Sequence, residues 1–326
     1  MQGLQHAFFL DACLLLLGCG NCSSKNSTST EGRDEAAGMP ATKGAQGNRS
    51  YWPIQTVDRA LNPPADFGPA PTEFLAAAGR ADSLNQYSST VMVTTRDPFY
   101  GAECSGILLG PRIALTAANC VCGRQQHTLT LDSGTAFLDS SACVKRAYVM
   151  TARHERGHNE FFTETKTHSY EGTVHPHPEF KIVLDKNSVP ASSHADLAII
   201  ELDTPVEQQF MIAQLYEAEV TANDTLTMVG FGYGQEFGQI LGERYIRENK
   251  VTQILENGRV LYEQQGAFVY DGFNGGPCFQ EDSHGQKLVG ISSIGSSQAL
   301  VFTSISFYRE WLRSELSRLG KKSPPR

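Results

Sequence analysis

The chain has 326 residues, 40% of them hydrophobic, which is enough apolar material for one large or two modest domains with a real core. Its formal net charge is −8 and it carries no basic cluster, which argues against a nucleic-acid partner because neutralising phosphates needs a basic face. Eight cysteines fit an oxidising compartment.

Residues 1–19 read as an export segment, because the apolar run at 8–17 is too short to span a bilayer. The run closes on Leu16-Leu17-Gly18-Cys19, which resembles a bacterial lipobox. That resemblance implies cleavage before Cys19 and a lipid on its thiol, tethering the protein to a membrane surface of the bacterial cell envelope. An ordinary secretory signal, with a secreted product, is the alternative. Residues 20–50 are rich in Ser, Thr, Gly, Asn and charge and have little to bury, so they read as a flexible tether. Residues 51–75, with Pro53, Pro63, Pro64, Pro69 and Pro71, read as an extended lead-in.

A folded domain is expected over 76–320, followed by a short tail at 321–326. Short β-type runs at 90–95, 106–109, 113–117, 146–151, 197–202, 226–230, 287–292 and 299–305 are separated by turn residues. The last segment, 308–319, places Trp311, Leu312, Leu316 and Leu319 at helical spacing. Many short strands and one terminal helix predict an all-β barrel or sandwich.

Four stretches sharpen that expectation. Leu115-Thr116-Ala117-Ala118-Asn119-Cys120, Asp196-Leu197-Ala198-Ile199-Ile200-Glu201-Leu202, Gly272-Phe273-Asn274-Gly275-Gly276-Pro277 and Ser293-Ile294-Gly295 occur in that order. Together with Val229-Gly230-Phe231-Gly232 they resemble the markers of trypsin-like serine proteases, the chymotrypsin-fold S1 peptidases, in which base, acid and nucleophile follow one another in the same order. The resemblance implies two six-stranded antiparallel β-barrels with the site in the cleft between them and a C-terminal helix on the second. It implies that Asn119, Asp196 and Asn274 occupy the triad positions, that 272–274 form the oxyanion loop, and that Phe268, Ser293 and Gly295 line the specificity pocket. It also implies a Cys104–Cys120 disulfide behind the base position, which leaves Cys122 and Cys143 as the next pair and Cys278 as a buried free thiol, with Cys22 in the tether. Asn119 to Asp196 spans 77 residues (196 − 119), longer than usual for the family, and Asp196 to Asn274 spans 78 (274 − 196), shorter than usual. The first barrel is therefore expected to carry inserted loops and the second to be trimmed.

Two triad positions have lost their chemistry. An imidazole takes and returns a proton near neutral pH, whereas the carboxamide of Asn119 does neither. Asn274 has no hydroxyl, and its amide nitrogen is a poor nucleophile. Phe273 stands where the family has an aspartate that pairs with a newly released N-terminus. The segment Ala76-Ala77-Ala78-Gly79, at the matching place upstream, lacks the apolar pair that normally inserts. An unpaired buried carboxylate is costly, so an apolar residue at 273 fits a chain that is not activated by cleavage. Phe268, where trypsin itself has an aspartate, gives no support for a pocket that takes basic side chains.

The expectation is a catalytically inactive protease homologue acting as an envelope-anchored binding or scaffold protein. Its ligand is an unidentified protein or peptide, it meets the membrane through its lipid, and it needs no cofactor or metal. Two enzymatic alternatives stand beside it. One is an active S1-type endopeptidase with unorthodox residues. The other is a metal-dependent hydrolase through His154, Glu155 and His158, since His154-Glu155-Arg156-Gly157-His158 matches His-Glu-x-x-His, a motif that binds zinc when it lies on a helix. His194, two residues before Asp196, would share its face in a strand and is a weaker candidate for a stand-in base.

Overall fold

The computed structural model describes residues 79–96, 98, 104–123, 130–132, 135–156, 163–185, 190–234, 239–264, 273–283, 285–296 and 299–320. The expected export segment, tether, lead-in and tail lie outside the described residues, as do Cys19, Cys22, His158, Phe268 and Gly272.

After β1 (Arg80–Ala81) come β2 (Thr90–Thr94), β3 (Cys104–Gly110) and β4 (Ile113–Thr116). Next are two hairpins, β5 (Thr130–Asp132) with β6 (Thr135–Asp139), and the longer β7 (Arg146–Arg156) with β8 (Thr163–Pro176). β9 (Lys181–Leu184), β10 (Pro190–His194), β11 (Ala198–Leu202) and β12 (Gln214–Leu215) complete the first half. The second half holds β13 (Thr225–Gly234), β14 (Gln239–Ile254), β15 (Arg259–Glu263), β16 (Pro277–Asp282), β17 (Gly285–Ser296) and β18 (Ala299–Ser304), and ends in helix α1 (Arg309–Gly320).

The expected two barrels are present. β2, β3, β4, β11, β8 and β7 close one six-stranded antiparallel barrel, and β13, β14, β15, β18, β17 and β16 close another. Numbered by chain order within each barrel, the strands run around both rings as 1-2-3-6-5-4. One topology is thus used twice. Among the described residues α1 is the single α-helix; it buries Leu312 and Leu319 and rests Trp311 and Leu316 against the core.

The strands form where apolar side chains have somewhere to go. Val91 and Val93 of β2 point into the first barrel core, while Met92, on the opposite face, meets Ala152 of β7 and Phe231 of β13 in a small apolar cluster. That contact joins the barrels and explains why all of β2 is buried. Strands whose sequences lack this pattern are held by pairing. β8, with the polar sequence Thr-Glu-Thr-Lys-Thr-His-Ser, is paired with β7 along its length and with β11 at its C-terminal end. The long interval between Asn119 and Asp196 is therefore largely strand. It supplies two barrel strands and a separate four-stranded sheet in the order β10-β9-β6-β5, which buries Leu138, Phe180, Ile182 and Leu184.

Candidate active site cleft

Three turns present the residues expected at the triad positions. Asn119 lies on a single 3-10 turn, Ala118–Cys120, directly after β4, and is 1% exposed. Asp196 follows Ala195, whose backbone is in the left-handed region at φ 47°, so the chain turns sharply between the end of β10 and the start of β11. This turn corrects the sequence expectation for His194. It does not share a strand face with Asp196; its ring faces Tyr308 at 6.2 Å and its Nε2 lies 3.5 Å from the Glu179 carboxylate.

Asn274 sits in a tight turn closed by the Gly276 N–H donating to the Phe273 carbonyl at 2.7 Å. Gly275, third in that turn, has φ 79°, the position where a type II turn requires a residue without a side chain. A Cβ there would lie 2.3 Å from the Ser105 carbonyl oxygen and 2.4 Å from Thr116 Oγ1. The turn is pressed onto the first barrel. Ser105 N–H donates to the Asn274 carbonyl at 2.8 Å, and Ser105 Oγ accepts from Phe231 N–H at 2.9 Å.

The three side chains meet. Asn119 donates to Asp196 twice, from its backbone N–H to Oδ1 at 2.7 Å and from Nδ2 to Oδ2 at 2.5 Å. Asn119 and Asn274 form a reciprocal carboxamide pair. Asn274 Nδ2 donates to Asn119 Oδ1 at 2.6 Å, and Asn119 Nδ2 donates to Asn274 Oδ1 at 3.2 Å. Both Asn119 Nδ2 hydrogens and its oxygen are engaged, whereas Asn274, partly exposed, keeps one N–H and one lone pair free of this pair.

Ser293 of β17 donates from Oγ to Asp196 Oδ2 at 2.6 Å. Burial raises the Asp196 pKa, against the hydrogen bonds from Ser293 Oγ, the Asn119 side chain and backbone, and the Ile294 N–H. The cation whose field reaches this carboxylate is Arg259 on β15. Gly295 continues β17 past Ser293 and Ile294 and is partly exposed.

Phe273 turns away from the cleft. It is 1% exposed and packs in the second barrel with Met228, Val251, Val260, Tyr262 and Phe302. Gly230 makes room for it, since a Cβ at 230 would lie 2.5 Å from Phe273 Cδ1. Cys278 belongs to the same cluster and is a free, buried thiol whose pKa burial raises. Cys104–Cys120 and Cys122–Cys143 are disulfides.

The zinc motif fails on local structure. His154 and Glu155 lie in β7, not on a helix, so their side chains leave opposite faces of the strand. His154 Nδ1 is 2.9 Å from Thr165 Oγ1, and Glu155 pairs with Lys166 at 2.5 Å.

Sequence reasoning missed one supporting device. Asp82 and Arg244 are both 0% exposed and form an ion pair, Nε to Oδ2 at 2.7 Å, that fastens the start of the domain to β14. Asp82 also accepts from the N–H groups of Gln86 and Tyr87 at 2.8 and 3.0 Å. From β14 of the second barrel Arg244 reaches the carbonyls of Thr90 on β2 and Ala152 on β7, both in the first, so its side chain links the two barrels. No local sequence signal marks the pair, because its members are 162 positions apart.

Residues 104–291 match the family model described as trypsin-like peptidase domain. The match covers more than half of the chain and includes Asn119, Asp196 and Asn274. The chain belongs to the trypsin-like peptidase family. The resemblance places two carboxamides of this chain, Asn119 and Asn274, where histidine and serine are expected.

Proposed function

We propose that this trypsin-like domain is catalytically silent and acts as a binding or scaffold module, held at the cell envelope by a lipid on Cys19. The observation that carries the reading is the reciprocal Asn119–Asn274 carboxamide pair in front of Asp196. Neither partner can shuttle a proton or attack a carbonyl, and removing a single triad member from a protease of related chemistry costs up to about a millionfold in turnover. Because triad members act as a unit, losing two adds little further cost.

What remains is a recognition surface. Beside Asn274, with its partly exposed carboxamide, runs the Ser293–Gly295 stretch of β17. An extended protein or peptide segment laid along a strand edge is held by main-chain hydrogen bonds, and neighbouring side chains set its specificity. The Asn274 N–H and lone pair that lie outside its pairing with Asn119 match one peptide unit of such a ligand.

Labelling of the purified domain with a fluorophosphonate probe, combined with a broad peptide-substrate screen, tests the silence. We expect no label and no cleavage, and stoichiometric labelling overturns the reading. Replacing Cys19 by Ala is expected to move the protein from the membrane fraction to the soluble one. An unchanged partition removes the anchor from the proposal and leaves the binding role standing.

A further inference from the structure

His177 is 5% exposed, in the turn that joins β8 to β9. The turn is closed by Phe180 N–H donating to the His177 carbonyl at 3.0 Å, with Pro178 in second position, where its fixed backbone angle suits a turn. The imidazole is covered by two rings, Trp311 of α1 at 4.6 Å and Tyr308, just before α1, at 5.1 Å. Its Nδ1 accepts the Glu179 N–H at 3.1 Å, which places the ring proton on Nε2. A second proton has to displace that bond and put a cation into an aromatic pocket.

The same Tyr308 holds the cleft. Its hydroxyl oxygen accepts the Ala195 N–H at 3.0 Å and its O–H donates to the Asn257 carbonyl at 3.3 Å. Ala195 is the strained residue that turns the chain into Asp196. Imidazole, helix and acid are thus linked through one phenol.

We propose that His177 is a proton sensor: its protonation loosens the docking of α1 and frees the Ala195–Asp196 turn from the Tyr308 hydroxyl. The inference concerns the frame of the cleft and does not depend on the binding role proposed above. The titratable groups facing His177 are Glu179 on its own turn, His194 at the end of β10 and Tyr308. Behind them lies Asp196, whose field reaches Tyr308. Farther along α1, Arg318 is engaged with Glu315 and lies 3.4 Å from His175 of β8. Burial is the largest influence on His177 and lowers its pKa from the ordinary 6.5; Glu179 opposes this and His194 reinforces it. A folded-state pKa below the unfolded value gives stability that is present above 6.5 and lost as pH falls through the folded value. Release therefore comes with acid.

The chain has two tryptophans, so the full chain carrying Trp52→Phe reports on Trp311 alone. Between pH 7.5 and 4.5 we expect a red shift of its emission with a midpoint below 6.5, at constant far-ultraviolet circular dichroism, and faster amide exchange at Ala195 over the same interval. The His177→Gln variant should lose the transition and the His194→Gln variant should keep it. The imidazole proton resonances of His177 in otherwise unaltered protein should titrate with the same midpoint, which decides the matter even if His177→Gln does not fold. Trp311 emission that stays flat, a transition that survives in His177→Gln, or a His177 resonance that titrates apart from Trp311 overturns the proposal.

Discussion

Asp82→Asn should be among the most damaging single changes outside the apolar core. Both members of the Asp82–Arg244 pair are 0% exposed, so the variant leaves a buried guanidinium that has neutral acceptors near it among the described residues, the carbonyls of Thr90 and Ala152 and the side-chain oxygen of Asn85, and no counter-charge. Breaking a buried pair from one side costs about 3–5 kcal/mol, because the remaining charge is uncompensated. For a domain of this size each kcal/mol corresponds to roughly 2–4 °C, so the melting temperature should fall by about 6–20 °C. Replacing both partners, Asp82→Leu with Arg244→Met, removes the charge along with its counter-ion and should recover most of the loss, since apolar substitutes for buried pairs are often neutral or better. Urea unfolding of the unsubstituted protein, Asp82→Leu, Arg244→Met and the double variant in a double-mutant cycle measures the coupling directly. A loss below about 1 kcal/mol for Asp82→Asn, or a double variant no more stable than the single, would refute the claim that this pair clamps the domain's first strand.

Three further outcomes are expected. Restoring Asn119→His and Asn274→Ser together should leave peptide cleavage at least about a hundredfold below ordinary protease rates, because Phe273 packs in the second barrel core in place of the aspartate whose ion pair, by the resemblance, shapes the oxyanion loop, and loss of one oxyanion donor costs that much; ordinary turnover in this variant would contradict it. Gly275→Ala should destabilise the fold by about 1–3 kcal/mol through its positive φ, and by more through the contact with Ser105, which thermal unfolding reads; an unchanged melting temperature counts against the turn as described. Asp196 has a folded-state pKa above its ordinary 3.8, so its contribution to stability is largest below 3.8 and declines as pH rises through the folded value. Relative to Asp196→Asn, the unsubstituted protein should therefore lose stability with rising pH over that window, and parallel urea midpoints from pH 3.5 to 7 would exclude it.

Much of the fold was legible because its signals are local. The continuous apolar run of β2, the strand following Asp196 and the helical spacing in α1 each declare themselves within a dozen residues, and the structure places them within one or two positions of the expected bounds. β8 and β14 were not seen. Their sequences are polar and charged, and they are strands because partners satisfy their backbone groups: β7 and then β11 along β8, and β13, β15 and β1 along β14. Pairing of that kind has no local signature. The site divides in the same way. Asn119, Asp196 and Asn274 stand out by their neighbours in sequence, while Ser105 and Tyr308 support their turns from places that no motif connects.

The replacements at the triad positions are not arbitrary in physical terms. Asp196 is buried and, among the described residues, no cation is paired with it, so it depends on donors, and burying a charge without them costs several kcal/mol. An alanine at 119 would keep the backbone donor and lose the Nδ2 bond. Hydrogen bonds to charged groups are worth about 1.5–3 kcal/mol, so that loss would leave the fold measurably weaker. Asparagine keeps both donors and still has an oxygen to present to its neighbour. At 274 a second asparagine accepts from Asn119 and returns a hydrogen bond to that oxygen, so the pair satisfies itself without an ionisable group. Proton transfer is what such an arrangement gives up. Placement of a polar edge beside β17 is what it keeps, and the binding role proposed above would use the second without the first.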